Sequence, residues 1–335
     1  METIWQFDLV HFWAAALAFS ILMYVLLDGF DLGVGMLFGI SGDAGMRDRM
    51  LSTIAPVWDG NETWLVVIGT VLFGAFPVVY AIFLSAFYLP VALLLGALIL
   101  RGVSMEFRGR STQRRWLWNL GFSGGSFAAA FVQGAAVGAL VKGIDIDNGQ
   151  YVGGPWDWLS PFAVVCGLGL VAGYALLGAA WLVAKTQDHL REWSYRWLLR
   201  LLVTSAIFIA ISFAWTLLAG LDITARWSGQ PMLVLVPAGL FLIGIAGTVW
   251  SWRVRADRLA YPMTALIFLA AFTAFLLSFW PWILPGDLRF DQAAAPPASL
   301  EFMFYGAGII VLPIVVLYTV GVYWIFRGKS RPLSE

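Results

Sequence analysis

The chain has 335 residues, of which 61% are hydrophobic and only 12% charged, against a charged share of ~25% in soluble domains. That composition excludes a soluble fold, and 20 Lys+Arg against 20 Asp+Glu leave no basic excess to recruit nucleic acid. A single cysteine, Cys166, excludes an internal disulfide and a cysteine-ligated metal cluster built by this chain alone.

A membrane-crossing helix needs ~20 apolar residues. On that rule the sequence predicts an all-α membrane protein, one integral membrane domain over 1–335, with nine transmembrane helices. They lie near 9–39, 53–74, 77–101, 116–141, 158–184, 197–220, 231–252, 259–283 and 302–326. Met1-Glu2-Thr3-Ile4 carries no Lys or Arg ahead of the first apolar run, which argues against a cleaved signal peptide. Little more than Gly74-Ala75-Phe76-Pro77 separates the second and third helices, and merging those two would change the topology.

The cations sort by side. The segments after the first, third, fifth and seventh helices, with the C-terminal tail, hold 17 of the 20 Lys+Arg, among them Arg47, Arg101, Arg108, Lys185, Arg253, Lys329 and Arg331. Lys142, Arg226 and Arg289 fall on the other side, together with Glu2, Asp145, Asp157 and Asp222. Positive charge is retained on the cytoplasmic side, so the N-terminus is expected outside and the C-terminus in the cytoplasm, with residue 112 inside and residues 150 and 293 outside. Tryptophans near predicted helix ends, such as Trp5, Trp116, Trp156, Trp227 and Trp324, read as interfacial anchors. The outer loops at 142–157 and 284–301 are short and rich in Gly and Pro, which leaves no room for a soluble domain.

Two histidines complete the inventory: His11 near the start and His189 in a polar loop, on opposite faces in this topology. That placement argues against a bis-histidine haem within the chain. Neither a Gly-rich nucleotide loop nor a His-Glu-x-x-His spacing occurs, so a redox cofactor would have to come from elsewhere.

Polar groups stand where lipid is expected in two places. Asp28-Gly29-Phe30-Asp31 lies inside the first apolar run, and Pro56-Val57-Trp58-Asp59-Gly60-Asn61-Glu62-Thr63-Trp64 leads into the second. Asp28 with Asp31, and Asp59 with Glu62, are spaced three apart, so each doublet shares a helix face. The midpoint between Asp31 and Asp59 is Gly45, in the polar turn 41–45. Two antiparallel helices joined there would carry all four carboxylates in one layer at 1.5 Å rise per residue. An ionisable side chain at mid-helix costs roughly 2.5–3.5 kcal/mol, so four uncompensated ones would approach ~10 kcal/mol, comparable to a whole domain's stability. They must therefore face protein or water, be protonated, or bond to one another. Groups so placed can take up and release protons, as a route through lipid requires; holding helices together is the plainer alternative. Pro56 and Gly60 loosen the start of the second helix, and Asn61 and Thr63 could carry a hydrogen-bond chain. Gly29-x-x-x-Gly33 and Gly35-x-x-x-Gly39 form a smooth stripe for close approach of another helix. A faint echo of Tyr24-Val-Leu-Leu-Asp-Gly29 in Tyr174-Ala-Leu-Leu-Gly-Ala179 hints at two related four-helix halves, although chance produces such echoes in a chain this rich in Leu and Ala.

At these residues the sequence resembles subunit II of the cytochrome bd quinol oxidases, including the cyanide-insensitive type. The resemblance rests on Asp28-Gly-Phe-Asp-Leu-Gly-Val-Gly35, Ile54-Ala-Pro-Val-Trp-Asp-Gly-Asn-Glu-Thr-Trp64, and Phe76-Pro-Val-Val-Tyr-Ala81 followed by Phe87-Tyr88. Leu312-Pro-Ile-Val-Val-Leu-Tyr-Thr319 and Tyr323-Trp324 extend it to nearly the whole chain. It implies two four-helix bundles plus one additional helix in a bacterial cytoplasmic (inner) membrane, paired with a haem-bearing subunit I. That partner holds two haem b and one haem d, takes electrons from quinol at the outer face and reduces dioxygen to water, while subunit II itself holds no haem. The family's aspartate matching Asp59 is assigned to a cytoplasmic proton route, and the tryptophan matching Trp64 to the neighbourhood of an oxygen path. Asp28, Asp31 and Glu62 join Asp59 as candidates for the proton path; Glu62 stands where other members can have glutamine, a departure that bears on proton uptake. Some members also keep a structural quinone in this subunit, or add small single-helix subunits. Without the resemblance, a stand-alone proton-coupled secondary transporter would fit the buried carboxylates equally well.

Overall fold

The computed structural model describes residues 8–111, 113–219 and 223–330. Glu2, Trp5, residue 112, Asp222 and Arg331 lie outside the described residues. The first helix, α1 (Leu9–Ile40), begins where the Asp8 carboxylate accepts from the backbone N–H groups of Val10 and His11 at 2.9 and 3.2 Å, satisfying two donors that a helix start leaves unpaired. Asp43 caps a second helix in the same way, α2 (Ala44–Ile54). This element corrects the expectation of a polar turn leading straight to a helix from 53. The chain then turns at 55–57 and restarts as α3 (Trp58–Ala75).

The break between α3 and α4 (Pro77–Arg108) falls at Phe76, whose φ of −133° and ψ of 58° are non-helical, as steric conflict with a following proline favours. Inside α4, Phe87 is non-helical three residues ahead of Pro90, which removes a backbone donor and kinks the helix. Because α4 continues to Arg108, Arg101 is not at a helix end on the cytoplasmic side as its charge suggested. It lies about two turns inside the helix and is buried.

The chain continues through α5 (Arg115–Lys142), a hairpin of β1 (Ile146–Asp147) and β2 (Gln150–Tyr151), and α6 (Pro161–Lys185), which is capped by Ser160. In α7 (Asp188–Leu218) His189 is the second helical residue, not part of a loop, and Arg191, Arg196 and Arg200 are helical too. There follow α8 (Ile223–Gly229), α9 (Met232–Val254), α10 (Asp257–Phe279), a hairpin of β3 (Trp282–Leu284) and β4 (Leu288–Arg289), and α11 (Phe290–Ala293). The last rod joins α12 (Pro297–Met303), a π-helical stretch (Phe304–Val311) and α13 (Leu312–Ile325).

Among the described residues, eight helices are long and apolar enough to cross a membrane. The 18-residue α3 is not one of them, because its first two turns carry Asp59, Asn61 and Glu62.

Helix α1 sits at the centre, against α3, α5 and α6. The glycine stripe makes this possible: a Cβ on Gly33 would strike the Tyr174 carbonyl and the Gly178 backbone of α6, and one on Gly35 would strike Ser126 of α5. Tyr24 and Tyr174, the two members of the sequence echo, are bridged by Gln133 of α5. Tyr174 donates to Gln133 Oε1, and Gln133 Nε2 donates to Tyr24, each at 3.0 Å.

Candidate functional site

The polar residues of α1 meet those of α3 and α4 inside this core. Asp28 and Asp31 sit on one face of α1 and are fully buried; Arg101 of α4 is 1% exposed. Arg101 Nη1 donates to Asp28 Oδ1 at 2.8 Å and to Glu62 Oε1 at 3.0 Å, while Nη2 lies 3.9 Å from Asp31 Oδ2. Asn61 Nδ2 donates to Asp31 Oδ2 at 2.6 Å and to the Leu27 carbonyl at 3.3 Å. From α13, Tyr323 donates its hydroxyl proton to Asn61 Oδ1 at 3.0 Å. One guanidinium thus faces three carboxyl groups, held by side chains from four helices.

Removing a charge from water costs several kcal/mol even after relaxation, and two more carboxyl groups than guanidinium leave the cluster over-supplied with acid. Several of its atoms, Asp28 Oδ2, Asp31 Oδ1, Arg101 Nε and Arg101 Nη2, have no hydrogen-bond partner among the described residues. Buried groups of this kind are satisfied by ordered water or by a proton. The arrangement is chemically able to hold protons and hand them on.

Of the four predicted carboxylates, three enter the cluster. Asp28, Asp31 and Glu62 come together, but Asp59 is exposed, and its side chain has no hydrogen bond or ion pair among the described residues. Asp59 lies in the first turn of α3, about 3 Å along the axis before Asn61 but roughly 200° around the helix from it; Asn61 reaches Asp31 and Leu27 of α1, Glu62 reaches Arg101 of α4, and Asp59 faces away from them. Glu62 links the two settings, its Oε1 on buried Arg101 while a quarter of its side chain remains exposed. Thr63 takes no part in a chain between helices; its hydroxyl donates to the Asp59 carbonyl of its own helix at 3.2 Å. Gly60 is needed for packing, since a Cβ there would lie 2.9 Å from the Tyr318 ring of α13. Trp64 is fully buried, edge-on to Phe19 at 5.5 Å, and its Nε1 has no partner among the described residues.

Arg101 and Tyr323 are the members of this cluster that the sequence alone does not assign to it. The signal for Arg101 was the surplus of buried carboxylates, which demanded a cation from another helix. Tyr323 stands in the Tyr323-Trp324 motif, which by itself attaches no role to it.

His11 and His189, both exposed, lie near opposite ends of the bundle. Helix α1 alone spans roughly 45 Å at 1.5 Å per residue between the level of His11 and the end where Arg49 of α2 approaches Asp188, the neighbour of His189. They cannot form an axial pair on one haem. Among the described residues no group of three His, Cys, Asp or Glu is placed to hold a metal ion.

A family model described as cytochrome bd terminal oxidase subunit II matches residues 9–326. The chain is 28% identical over 372 residues to cytochrome bd-I ubiquinol oxidase subunit 2 of Escherichia coli K12, covering 97% of this chain and 96% of that one. With cytochrome bd ubiquinol oxidase subunit 2 of Bacillus subtilis it shares 27% identity over 327 residues, or 95% of each chain. Its fold resembles a chain in the structure of the bd oxidase from Geobacillus thermodenitrificans, with a TM-score of 0.74 at 18% identity, covering 95% of this chain and 99% of that chain.

Proposed function

The chain belongs to the cytochrome bd terminal oxidase subunit II family, and on that premise we propose that it is the non-haem subunit of a terminal oxidase that oxidises quinol and reduces dioxygen to water. The protein is a multi-pass component of the bacterial inner membrane, and its partner is the haem-bearing subunit I of the complex. In this reading α3 counts as a ninth span, completing one four-helix bundle (α1, α3, α4, α5) beside another (α6, α7, α9, α10), with the rod at 297–325 as the additional helix. The N-terminus lies outside, and α2 and the C-terminal tail lie in the cytoplasm.

The observation that carries the proposal is the Asp28–Arg101–Glu62 cluster with Asp31 and Asn61, buried between helices with more carboxyl groups than cationic ones. Reduction of dioxygen consumes protons, and a haem in the partner can receive them only through protein. Asp59, exposed on this chain, offers an acceptor at the flank of the cluster. Glu62 bridges to Arg101, and Asp28 and Asp31 supply further acceptors inside. Arg101 keeps the carboxylates from repelling one another. Trp64, large and buried beside Phe19, borders the apolar side of α3, where dioxygen would travel. The haems supply the electron transfer and oxygen chemistry; this chain's histidines do not fit one as an axial pair, so its share of the work is protonic and structural.

A visible spectrum tests the reading. The complex purified through a tag on this chain should show haem absorption and consume oxygen when given quinol, whereas this polypeptide expressed alone should show no Soret band. A haem-free native preparation that moves solute against a proton gradient would replace the oxidase with a transporter.

A further inference from the structure

At the end of the molecule that carries α2 and the C-terminal tail, a cleft of about 280 Å³ lies below the ion cluster, lined among others by Ser52, Thr53, Val57, Trp181, Lys185 and Tyr323. At a liquid volume of roughly 30 Å³ per molecule it has room for several waters. Residues 326–330 cross its mouth. Lys185 Nζ donates to the carbonyls of Phe326 and Gly328, the Ser330 N–H donates to the Lys185 carbonyl at 2.8 Å, and the Ser52 and Ser330 hydroxyls share a hydrogen bond at 2.8 Å. Lys329 Nζ bonds the Thr186 carbonyl at 3.0 Å and Asp257 Oδ2 at 2.6 Å. Both lysines are therefore engaged at the rim.

Tyr323 lines the cleft and also reaches the ion cluster. Its hydroxyl is fixed on Asn61 at 3.0 Å, and Asn61 in turn holds Asp31 at 2.6 Å. Two hydrogen bonds thus connect a residue lining space for water to a carboxyl group whose Oδ1 has no partner among the described residues.

We propose that this cleft is the inlet through which water from the tail side reaches Asp31, with Tyr323, latched on Asn61, as the ring that closes it. The inference rests on the reading of the cluster as a proton path and puts the cleft in series with Asp59: protons enter at Asp31 and pass by Glu62 to the flank at Asp59, so that loss at either point slows turnover. A carboxamide is a very weak base, so Asn61 orients Tyr323 and Asp31 and does not relay a proton itself. The transfer occurs when the Tyr323 ring swings off Asn61: a hydronium ion in the cleft gives its proton to a carboxylate oxygen of Asp31 and is left as water, and bulk solution beyond the tail replaces the proton.

The test uses the intact complex with Ser52→Cys in a Cys166→Ala background, treated with the anionic thiol reagent methanethiosulfonate ethylsulfonate and weighed by mass spectrometry. Labelling should go to completion and lower quinol-dependent oxygen consumption at least tenfold. The remaining turnover should show an enlarged solvent deuterium isotope effect, and a thiol reductant, added and then removed, should restore the rate. Ser111→Cys, at the same end but outside the cleft, should label with no loss of rate. A Ser52→Cys complex that resists the reagent overturns the inlet, as does one that labels with turnover unchanged. A loss of rate without an enlarged isotope effect also overturns it, because that pattern reports distortion and not a starved proton supply. Amide variants of Asp59 and Glu62 keep the two levels apart. If those variants are fully active the proton-path reading itself fails; if they are impaired while labelled Ser52→Cys works normally, only the inlet is wrong.

Discussion

Arg101 holds the buried carboxylates together, and its removal is the sharpest test at the scale of single residues. Arg101→Met keeps much of the side-chain volume but strands Asp28, Asp31 and Glu62 without a cation, a change that costs about 3–5 kcal/mol when one partner of a buried pair is lost. The purified complex should lose thermal stability accordingly, and Asp28→Asn added to Arg101→Met should recover part of the loss, because the pair is in direct contact at 2.8 Å. Equal melting temperatures for Arg101→Met and the parent complex would mean that the cluster is neutralised by something other than this guanidinium. The carboxylates were legible in the sequence because acid in an apolar run is expensive and conspicuous. Arg101 was not, since a lone cation near the end of a hydrophobic stretch reads as an interface marker, and its pairing with Asp28 spans 73 positions that no local pattern connects. Asp59 reads as one of the buried group for the opposite reason: spacing puts it on the same side of α3 as Glu62 but does not tell which side meets α1, and it is Asn61, roughly 200° around the helix from Asp59, that meets Asp31.

At the scale of elements, the contact between α1 and α6 depends on glycine. A methyl group at Gly33 would overlap the Tyr174 carbonyl and come within 2.8 Å of the Gly178 amide nitrogen, and backbone cannot step aside as a flexible side chain can. Overpacking of this kind typically costs ~1–3 kcal/mol, so Gly33→Ala should lower the melting temperature of the complex. Gly96→Ala, where nothing in this chain lies within 4 Å, should leave it unchanged or slightly raised. Equal effects at the two positions would show that the stripe is not a packing surface. Helix boundaries were legible at Asp8 and Pro77, whereas the helix expected from 158 starts only at Pro161, after the Ser160 cap. They were misjudged where charged residues continue a helix past the lipid, as in the extension of α4 to Arg108 and the start of α7 at Asp188. Hydropathy reports the membrane, whereas hydrogen bonding carries the helix beyond it. Helix α2 was missed for a related cause: its sequence is too polar and too short to register as a span, yet Asp43 caps it.

At the scale of the whole molecule, an all-helical membrane fold was legible from composition alone, and the family from two short motifs rich in acid. What the sequence did not reveal is how helices far apart in the chain converge on one polar centre, with α1, α3, α4 and α13 each contributing a side chain. The central claim, that this subunit feeds protons to an oxidase, predicts a specific split between assembly and turnover. Asn and Gln keep the shape and hydrogen bonding of Asp and Glu but cannot titrate. The most direct measurement is therefore quinol-dependent oxygen consumption by the purified complex carrying Asp59→Asn or Glu62→Gln, with haem content read from the same samples. The account predicts haem content near that of the parent and a rate at least tenfold lower for each variant, about 1.4 kcal/mol in barrier terms. Full oxidase activity in both variants would contradict it.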